Sequence, residues 1–174
     1  MRALVDAPRL REFMRALGRG VTHPARVYFT GGATAVLHGW RDSTIDVDLK
    51  LVPDDEILRA IPALKERLSM NIELAAPDDF IPVRNGWEER SAFVAQEGPL
   101  TFFHFDLVAQ ALAKIERGHQ QDSDDVQQML ARGLVTTADL RSAFDAIEGS
   151  LYRYPALDPP AFRRAVESVT TRAM

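Results

Sequence analysis

Two glycines, followed at a short distance by two aspartates, are the residues of this chain best suited to chemistry. Thirteen residues separate Gly31-Gly32 from Asp46, and a single valine separates Asp46 from Asp48. A glycine pair lets the backbone approach a phosphate closely, because glycine has no side chain and tolerates positive φ. Carboxylates two residues apart on a strand point to the same face and can share hard divalent cations. The spacing therefore predicts a metal-dependent phosphoryl-transfer site.

Short apolar segments surround both motifs. Residues 27–30 are rich in strand-forming side chains and stop at the glycines, while 33–38 is small and apolar, as expected of a packed helix. Residues 44–52 alternate between polar and apolar, so that Ile45, Val47 and Leu49 face a core when the aspartates face away from it. The predicted order is strand, glycine turn, helix and second strand.

The rest of the chain alternates strands and helices before it becomes helical. A third short strand is predicted at 71–74, followed by a turn-rich connection and a hairpin over 93–107. Helical patterns predominate thereafter, with an extended, proline-containing arm at 151–160 before the last helix. These elements predict an α/β (or α+β) fold with a mixed sheet and flanking helices. We expect a core over 1–107 and a C-terminal helical segment over 108–174 packed on it.

Composition limits the class of protein to which the chain can belong. It has 174 residues, of which 46% are hydrophobic, enough for one compact domain or a core with a helical extension. A formal net charge of −4 creates no overall positive field toward polyanions, and the absence of cysteine excludes thiol catalysis and disulfides. No signal peptide or membrane span is recognisable, so we expect a soluble, cytoplasmic protein without a membrane partner.

The glycine pair and the Asp46-x-Asp48 strand together resemble the signature of the DNA polymerase β-type nucleotidyltransferase superfamily. The resemblance covers about residues 27–133 and implies a nucleotidyltransferase-type sheet. It also implies that Gly31 and Gly32 line the phosphates of a nucleoside triphosphate (NTP), and that the aspartates bind Mg²⁺ or Mn²⁺. The chain departs from the signature at one point. A Gly-Ser pair is usual where this chain has Gly31-Gly32 or Gly32-Ala33, so a hydroxyl that often touches the terminal phosphates is missing.

Shorter motifs in the helical half resemble the AbiEii-like nucleotidyltransferases, which are abortive-infection and toxin–antitoxin toxins. The motifs are Lys114 with Arg117 and Asp122 with Asp125, each pair about one helical turn apart. By this resemblance Lys114 and Arg117 contact phosphate, and Asp122 supports metal binding or proton transfer. Two segments, residues 78–82 and 109–125, are similar to small uncharacterised bacterial nucleotidyltransferase-like proteins. Surface ion pairs at helical spacing explain the same four residues equally well.

A third carboxylate normally completes the metal cluster of this superfamily and takes the proton from the incoming hydroxyl. Glu73 lies between apolar residues on the predicted third strand, in the order of the superfamily, and is the favoured candidate. Asp106 offers the same pattern later, but an aspartate at that strand end is also well placed to cap the following helix. Arg41 and Ser43, just before the aspartates, are candidates to approach the triphosphate or to fix the turn.

Three functions remain open from the sequence. The favoured one is a metal-dependent nucleotidyltransferase that moves a nucleoside monophosphate from an NTP to an RNA or protein acceptor, in a toxin–antitoxin or phage-defence context. The alternative is a catalytically inactive nucleotidyltransferase-fold binding protein or toxin–antitoxin component, with a cognate antitoxin or a second copy of the chain as its partner. The weakest is a nucleic-acid-binding module that uses the arginines of the tail: Arg153, Arg163, Arg164 and Arg172.

Overall fold

The chain divides into two compact units. A computed structural model describes residues 3–172. One unit is formed by residues up to 76 together with 91–105, and the other by 77–90 together with residues from 106 onward. The chain therefore leaves the first unit after its third strand, contributes a short segment to the second unit, and returns to complete the sheet. Across the described range, every helix is too short or too polar to span a bilayer.

The first unit is a mixed five-stranded sheet with three helices. Its elements are α1 (Ala7–Arg19), β1 (Ala25–Thr30), α2 (Gly31–His38), β2 (Asp46–Val52), α3 (Asp55–Leu68), β3 (Asn71–Leu74), β4 (Ala92–Glu97) and β5 (Leu100–His104). The strand order is β3-β2-β1-β5-β4. β1 pairs antiparallel with β2 and parallel with β5, β2 pairs parallel with β3, and β4 pairs antiparallel with β5. The predicted mixed sheet with flanking helices is confirmed.

The pattern of β2 decides which sheet face carries the core. Buried and half-buried residues alternate along this strand, so that Val47 and Leu49 reach the core while Asp46 and Asp48 point to the opposite face. The expectation that Ile45 also faces the core is wrong, because Ile45 precedes the strand and is 48% exposed. A shift of one residue in register would exchange the two faces. Burial of the apolar residues therefore determines where the carboxylates point. The same core contains the apolar stripe of α1: Leu10, Phe13, Met14 and Leu17.

The second unit is helical. Its elements are a 3₁₀ turn (Pro77–Asp79), α4 (Trp87–Arg90), α5 (Leu107–Arg117), α6 (Gln120–Ala131), α7 (Thr137–Ile147), a 3₁₀ segment (Glu148–Arg153) and α8 (Pro159–Arg172). Helix α5 packs against α6, α7 and α8. The predicted helical character of this region is confirmed. The extended arm over 151–160 is wrong in its first part, because Leu151 is buried and the chain stays helical through Arg153.

Candidate active site

The glycine turn lies beside the second aspartate. β1 ends at Thr30, which is paired with Asp48 across the antiparallel strands, and α2 begins immediately afterwards at Gly31. Gly31 has a φ of +60°, and a Cβ built on it would lie 3.0 Å from Asp48 Oδ2. The carboxylate of Asp48 therefore lies directly against the bare backbone of the bend.

Replacing Gly31 with alanine should disturb this contact. The added Cβ would press on the Asp48 carboxylate, and the left-handed backbone at Gly31 costs a residue with a side chain about 1–2 kcal/mol. We expect G31A to lower the free energy of unfolding by about that amount in chemical denaturation, and to weaken divalent-cation binding. Gly149→Ala is the matched control, because nothing lies within 4 Å of its Cβ position. Equal losses of stability and of cation binding in the two variants would contradict the assigned contact between Gly31 and Asp48.

The second glycine makes room for two side chains of the loop before β2. A Cβ on Gly32 would lie 2.1 Å from Thr44 Oγ1 and 3.2 Å from Arg41 Nη1. The Thr44 hydroxyl donates to the backbone carbonyl of Asp46 at 2.9 Å, which ties the loop to the start of β2. Arg41 thus lies beside the glycine turn, and Ser43 is half-buried in the same loop. A threonine hydroxyl occupies the space where a serine at position 32 would begin its side chain.

Three carboxylates and one amide form a row across β2 and β3. The parallel pairing places Asp46 next to Asn71 and Asp48 next to Glu73. Asn71 Nδ2 donates to Asp46 Oδ1 at 2.5 Å and to Glu73 Oε1 at 2.8 Å. The amide therefore links Asp46 of β2 to Glu73 of β3 by hydrogen bonds, on the sheet face opposite the core. We call these four residues the carboxylate row.

The carboxylate row suits a divalent cation that is also held by a substrate. Within residues 3–172, no group of three or more His, Asp or Glu side chains is placed so that it could hold a metal ion, so Asp46, Asp48 and Glu73 do not form a three-carboxylate site by themselves. In phosphate-transferring enzymes, however, Mg²⁺ is usually held by one or two carboxylates together with substrate phosphates and waters. Asp46 and Asp48 supply hard oxygen ligands on one strand face, with the exposed Glu73 beside them. The donor set therefore fits Mg²⁺ or Mn²⁺ bound with a triphosphate.

Sequence reasoning missed Asn71. The only signal was its position two residues before Glu73, which places both on one face of a strand. Asn71→Ala should weaken Mn²⁺ binding by about tenfold in isothermal titration calorimetry, because partners that orient metal ligands typically contribute roughly 10- to 100-fold in affinity. Asn85→Ala is the control, since Asn85 is exposed and lies outside the row. Unchanged Mn²⁺ affinity in N71A would show that the amide does not orient the ligands.

The helical motif residues form an ion-pair cluster within the second unit. Lys114 Nζ lies 2.8 Å from Asp125 Oδ2 and 3.7 Å from Asp122 Oδ1. Arg117 donates to both oxygens of Asp122, through Nε at 2.7 Å and Nη2 at 2.5 Å. Burial alone would raise the pKa of Asp122, but hydrogen bonding to Arg117 and the charges of Arg117 and Lys114 hold it below its usual value. Lys114 and both aspartates are buried, so these pairs are internal rather than superficial. The roles of Lys114 and Arg117 in phosphate contact and of Asp122 in metal binding or proton transfer stay predictions.

Asp106 serves the local structure of the second unit. Its Oδ1 accepts the backbone N–H of Val108 at 3.1 Å and so caps α5. Its Oδ2 accepts from Arg90 Nε at 3.0 Å. The carboxylate is buried and both of its oxygens are engaged. The helix-cap explanation of Asp106 is confirmed. The strand β5 ends at His104, earlier than the predicted hairpin.

Three of the four tail arginines contact other residues of the tail. Arg153 lies over the ring of Tyr152, with its Cζ 5.9 Å from the ring centroid. Arg163 forms an ion pair with Glu148. Arg172 donates to Ser168 Oγ at 2.8 Å. A nucleic-acid surface built on these arginines would have to compete with those contacts.

The five-stranded mixed sheet with its flanking helices is that of a nucleotidyltransferase-type fold. A comparison with protein families makes the class more specific. Residues 8–163 match the family described as nucleotidyltransferase of unknown function (DUF6036), and the chain belongs to that family. No curated protein and no solved structure matches the chain. The predicted relationship to the nucleotidyltransferases is thereby confirmed, while the AbiEii-like subtype stays a prediction.

Proposed function

We propose that this protein is a metal-dependent nucleotidyltransferase that moves a nucleoside monophosphate from an NTP to an acceptor hydroxyl. The observation that supports this most strongly is the contact between the Asp48 carboxylate and the bend at Gly31. On the same sheet face, the side-chain amide of Asn71 donates hydrogen bonds to Asp46 and Glu73. Carboxylates suited to cations thus lie beside bare backbone that a triphosphate can approach.

The residues divide the chemistry among themselves in this proposal. Asp46 and Asp48 would hold Mg²⁺ or Mn²⁺, and the cation would supply positive charge for the phosphoryl oxygens and the departing pyrophosphate. The acceptor oxygen forms a bond to the α-phosphorus as the bond to pyrophosphate breaks. Glu73 takes the acceptor proton, since it is exposed beside the aspartates. Asp106 is poorly suited to that role because both of its oxygens are engaged elsewhere.

The start of α2 supports phosphate binding. The first N–H groups of a helix have no partners within that helix and favour anions. Thr30 occupies the N-cap position but makes no side-chain hydrogen bond to cap the helix. Gly31, with its positive φ and no side chain, leaves room here for the Asp48 carboxylate, and a cation held by Asp48 would bring a phosphate to this end of the helix.

A catalytically inactive binding protein is the second candidate, suggested by the missing Gly-Ser hydroxyl. The absence of a serine at position 32 is a weaker argument for inactivity than the sequence alone indicates, because the Thr44 hydroxyl lies where that serine would begin its side chain. An RNA acceptor, a toxin–antitoxin or phage-defence context, a cytoplasmic location and a partner antitoxin or second copy belong to the proposal by resemblance alone.

Transfer of labelled nucleotide tests the proposed function. Purified full-length protein would be incubated with each NTP labelled on the α-phosphate, with Mg²⁺ or Mn²⁺, and with bacterial RNA or protein acceptors. Label should appear on one acceptor class, and the same NTP labelled on the γ-phosphate should transfer none. Metal-dependent NTP binding without transfer would favour the inactive binding protein. Neither binding nor transfer with either metal would overturn both.

A further inference from the structure

The second unit contains a cavity of about 460 Å³ that has no part in the carboxylate row. Segment 77–90 forms one wall, and the end of α7 with the following 3₁₀ segment forms the other. The volume falls in the range of roughly 300–1,000 Å³ that is typical of small-molecule sites. We call it the Arg84 cavity. Its polar and aromatic lining includes Asp78, Arg84, Asn85, Trp87, Arg153 and Tyr154.

One wall of the Arg84 cavity is held by Arg90. Its Nη1 and Nη2 donate to the backbone carbonyls of Asn85 and Arg84, at 3.0 and 3.3 Å. Its Nε donates to the buried Asp106 at 3.0 Å. Gly86 permits this arrangement, because its φ is +84° and a Cβ there would lie 2.9 Å from Arg90 Nη1. A buried carboxylate thus fixes, through Arg90, the backbone that carries Arg84.

The other wall is held by an equally direct contact. Tyr154 Oη donates to the backbone carbonyl of Asp78 at 2.7 Å, which ties the 3₁₀ segment to the start of segment 77–90. Leu151, buried in the same 3₁₀ segment, anchors it to the unit. Both walls are therefore organised before any ligand arrives, and a preorganised site loses less conformational entropy on binding.

The side chains of the Arg84 cavity favour an aromatic anion. The half-buried guanidinium of Arg84 makes no hydrogen bond or ion pair with any residue in 3–172. A guanidinium pairs well with phosphate through parallel N–H donors. Arg153, whose guanidinium lies 5.9 Å from the ring centroid of Tyr152, adds a second cation, and Asp78 is the single acid of the lining. The indole of Trp87 adds a ring on which a nucleobase can stack.

We infer that the Arg84 cavity binds a nucleotide, with phosphate on Arg84 and Arg153 and the base against Trp87. The choice of a nucleotide among aromatic anions rests on the proposed function. The site needs no divalent cation, because its cations are arginines. That independence allows it to be measured apart from the carboxylate row.

Calorimetric titration in EDTA tests the inference on the full-length protein. Without divalent cations, the carboxylates of the row repel phosphate, so binding of nucleoside monophosphates has to occur elsewhere. We expect Arg84→Ala to bind about tenfold more weakly, as for a lost charged hydrogen bond. Trp87→Ala should bind at least about fivefold more weakly, as for a lost base stack. Arg164→Ala is the control, since Arg164 is exposed on α8, and it should bind as wild type.

Fluorescence supplies a second measurement at the cavity itself. The chain has two tryptophans, so Trp40→Phe leaves Trp87 as the single reporter. Nucleoside monophosphates should quench it, and inorganic phosphate should not. Circular dichroism melts would establish that each variant is folded.

The outcomes separate this inference from the proposed function. Metal-free binding that survives Asp46→Asn with Asp48→Asn, and weakens in Arg84→Ala, supports the inference. It is overturned if no metal-free binding occurs, if inorganic phosphate binds as tightly as the nucleotide, or if only the aspartate variant loses binding. Metal-free binding at the cavity in a protein that transfers no nucleotide would count against the proposed function alone.

Discussion

Replacing Asp46 and Asp48 together with asparagine should reduce nucleotide transfer by about a thousandfold or more. Loss of cation stabilisation worth several kcal/mol in the transition state corresponds to about that factor, because each 1.36 kcal/mol changes the rate roughly tenfold. Both side chains are half-buried on the face opposite the core, and their removal leaves no cavity. Stability should therefore stay within about 0.5 kcal/mol of wild type, measured by denaturation alongside the transfer assay.

The control for this experiment is a second aspartate pair in the same unit. Asp54 and Asp55 are exposed at the start of α3, and Asp54 makes no side-chain capping bond. Their replacement by asparagine removes the same two charges and should leave transfer unchanged. Transfer that persists in the Asp46 and Asp48 variant would contradict the assignment of these residues as metal ligands. Equal losses of transfer in both variants would show that the effect depends only on the net charge of the protein.

Lys114→Met should produce the largest loss of stability. Removing one partner of a buried ion pair typically costs about 3–5 kcal/mol, because the remaining charge stays buried without compensation. Here Asp125 would lose the ammonium at 2.8 Å, whereas Asp122 would keep the exposed Arg117, the backbone N–H of His119 and the His119 ring at 3.9 Å. For a chain of this size we expect the melting temperature to fall by roughly 6–20 °C, measured by calorimetry or circular dichroism.

Lys65→Met is the matched control for Lys114. Lys65 is a half-buried lysine of α3, and its replacement should change stability by no more than about 0.5 kcal/mol. The pKa of Asp122 is lowered in the folded protein, so its stabilisation is present above the unfolded pKa and is lost as pH falls through the folded pKa. The difference in the free energy of unfolding between wild type and Lys114→Met should therefore become smaller as the pH is lowered. A variant with unchanged stability but weaker nucleotide binding would instead favour direct phosphate contact by Lys114.

Local patterns in the sequence determined the elements that build the candidate site. The alternation along β2 placed Val47 and Leu49 in a core, and by the same period it placed Asp46 and Asp48 on the other face. The stop of β1 at the glycines predicted the turn into α2. These signals can be recognised from sequence because strand period and glycine conformation act within a few residues.

Only the tertiary structure decided which side chains meet. The parallel register of β2 and β3 gave Asn71 its two carboxylate partners, and neither strand alone specifies that register. Thr44 fills the space above Gly32, and Arg90 reaches back to Asp106, so both contacts depend on how separate segments pack. Such contacts arise from burial and pairing summed over a whole unit, whereas the sequence by itself determined the strand, turn and helix that each residue occupies.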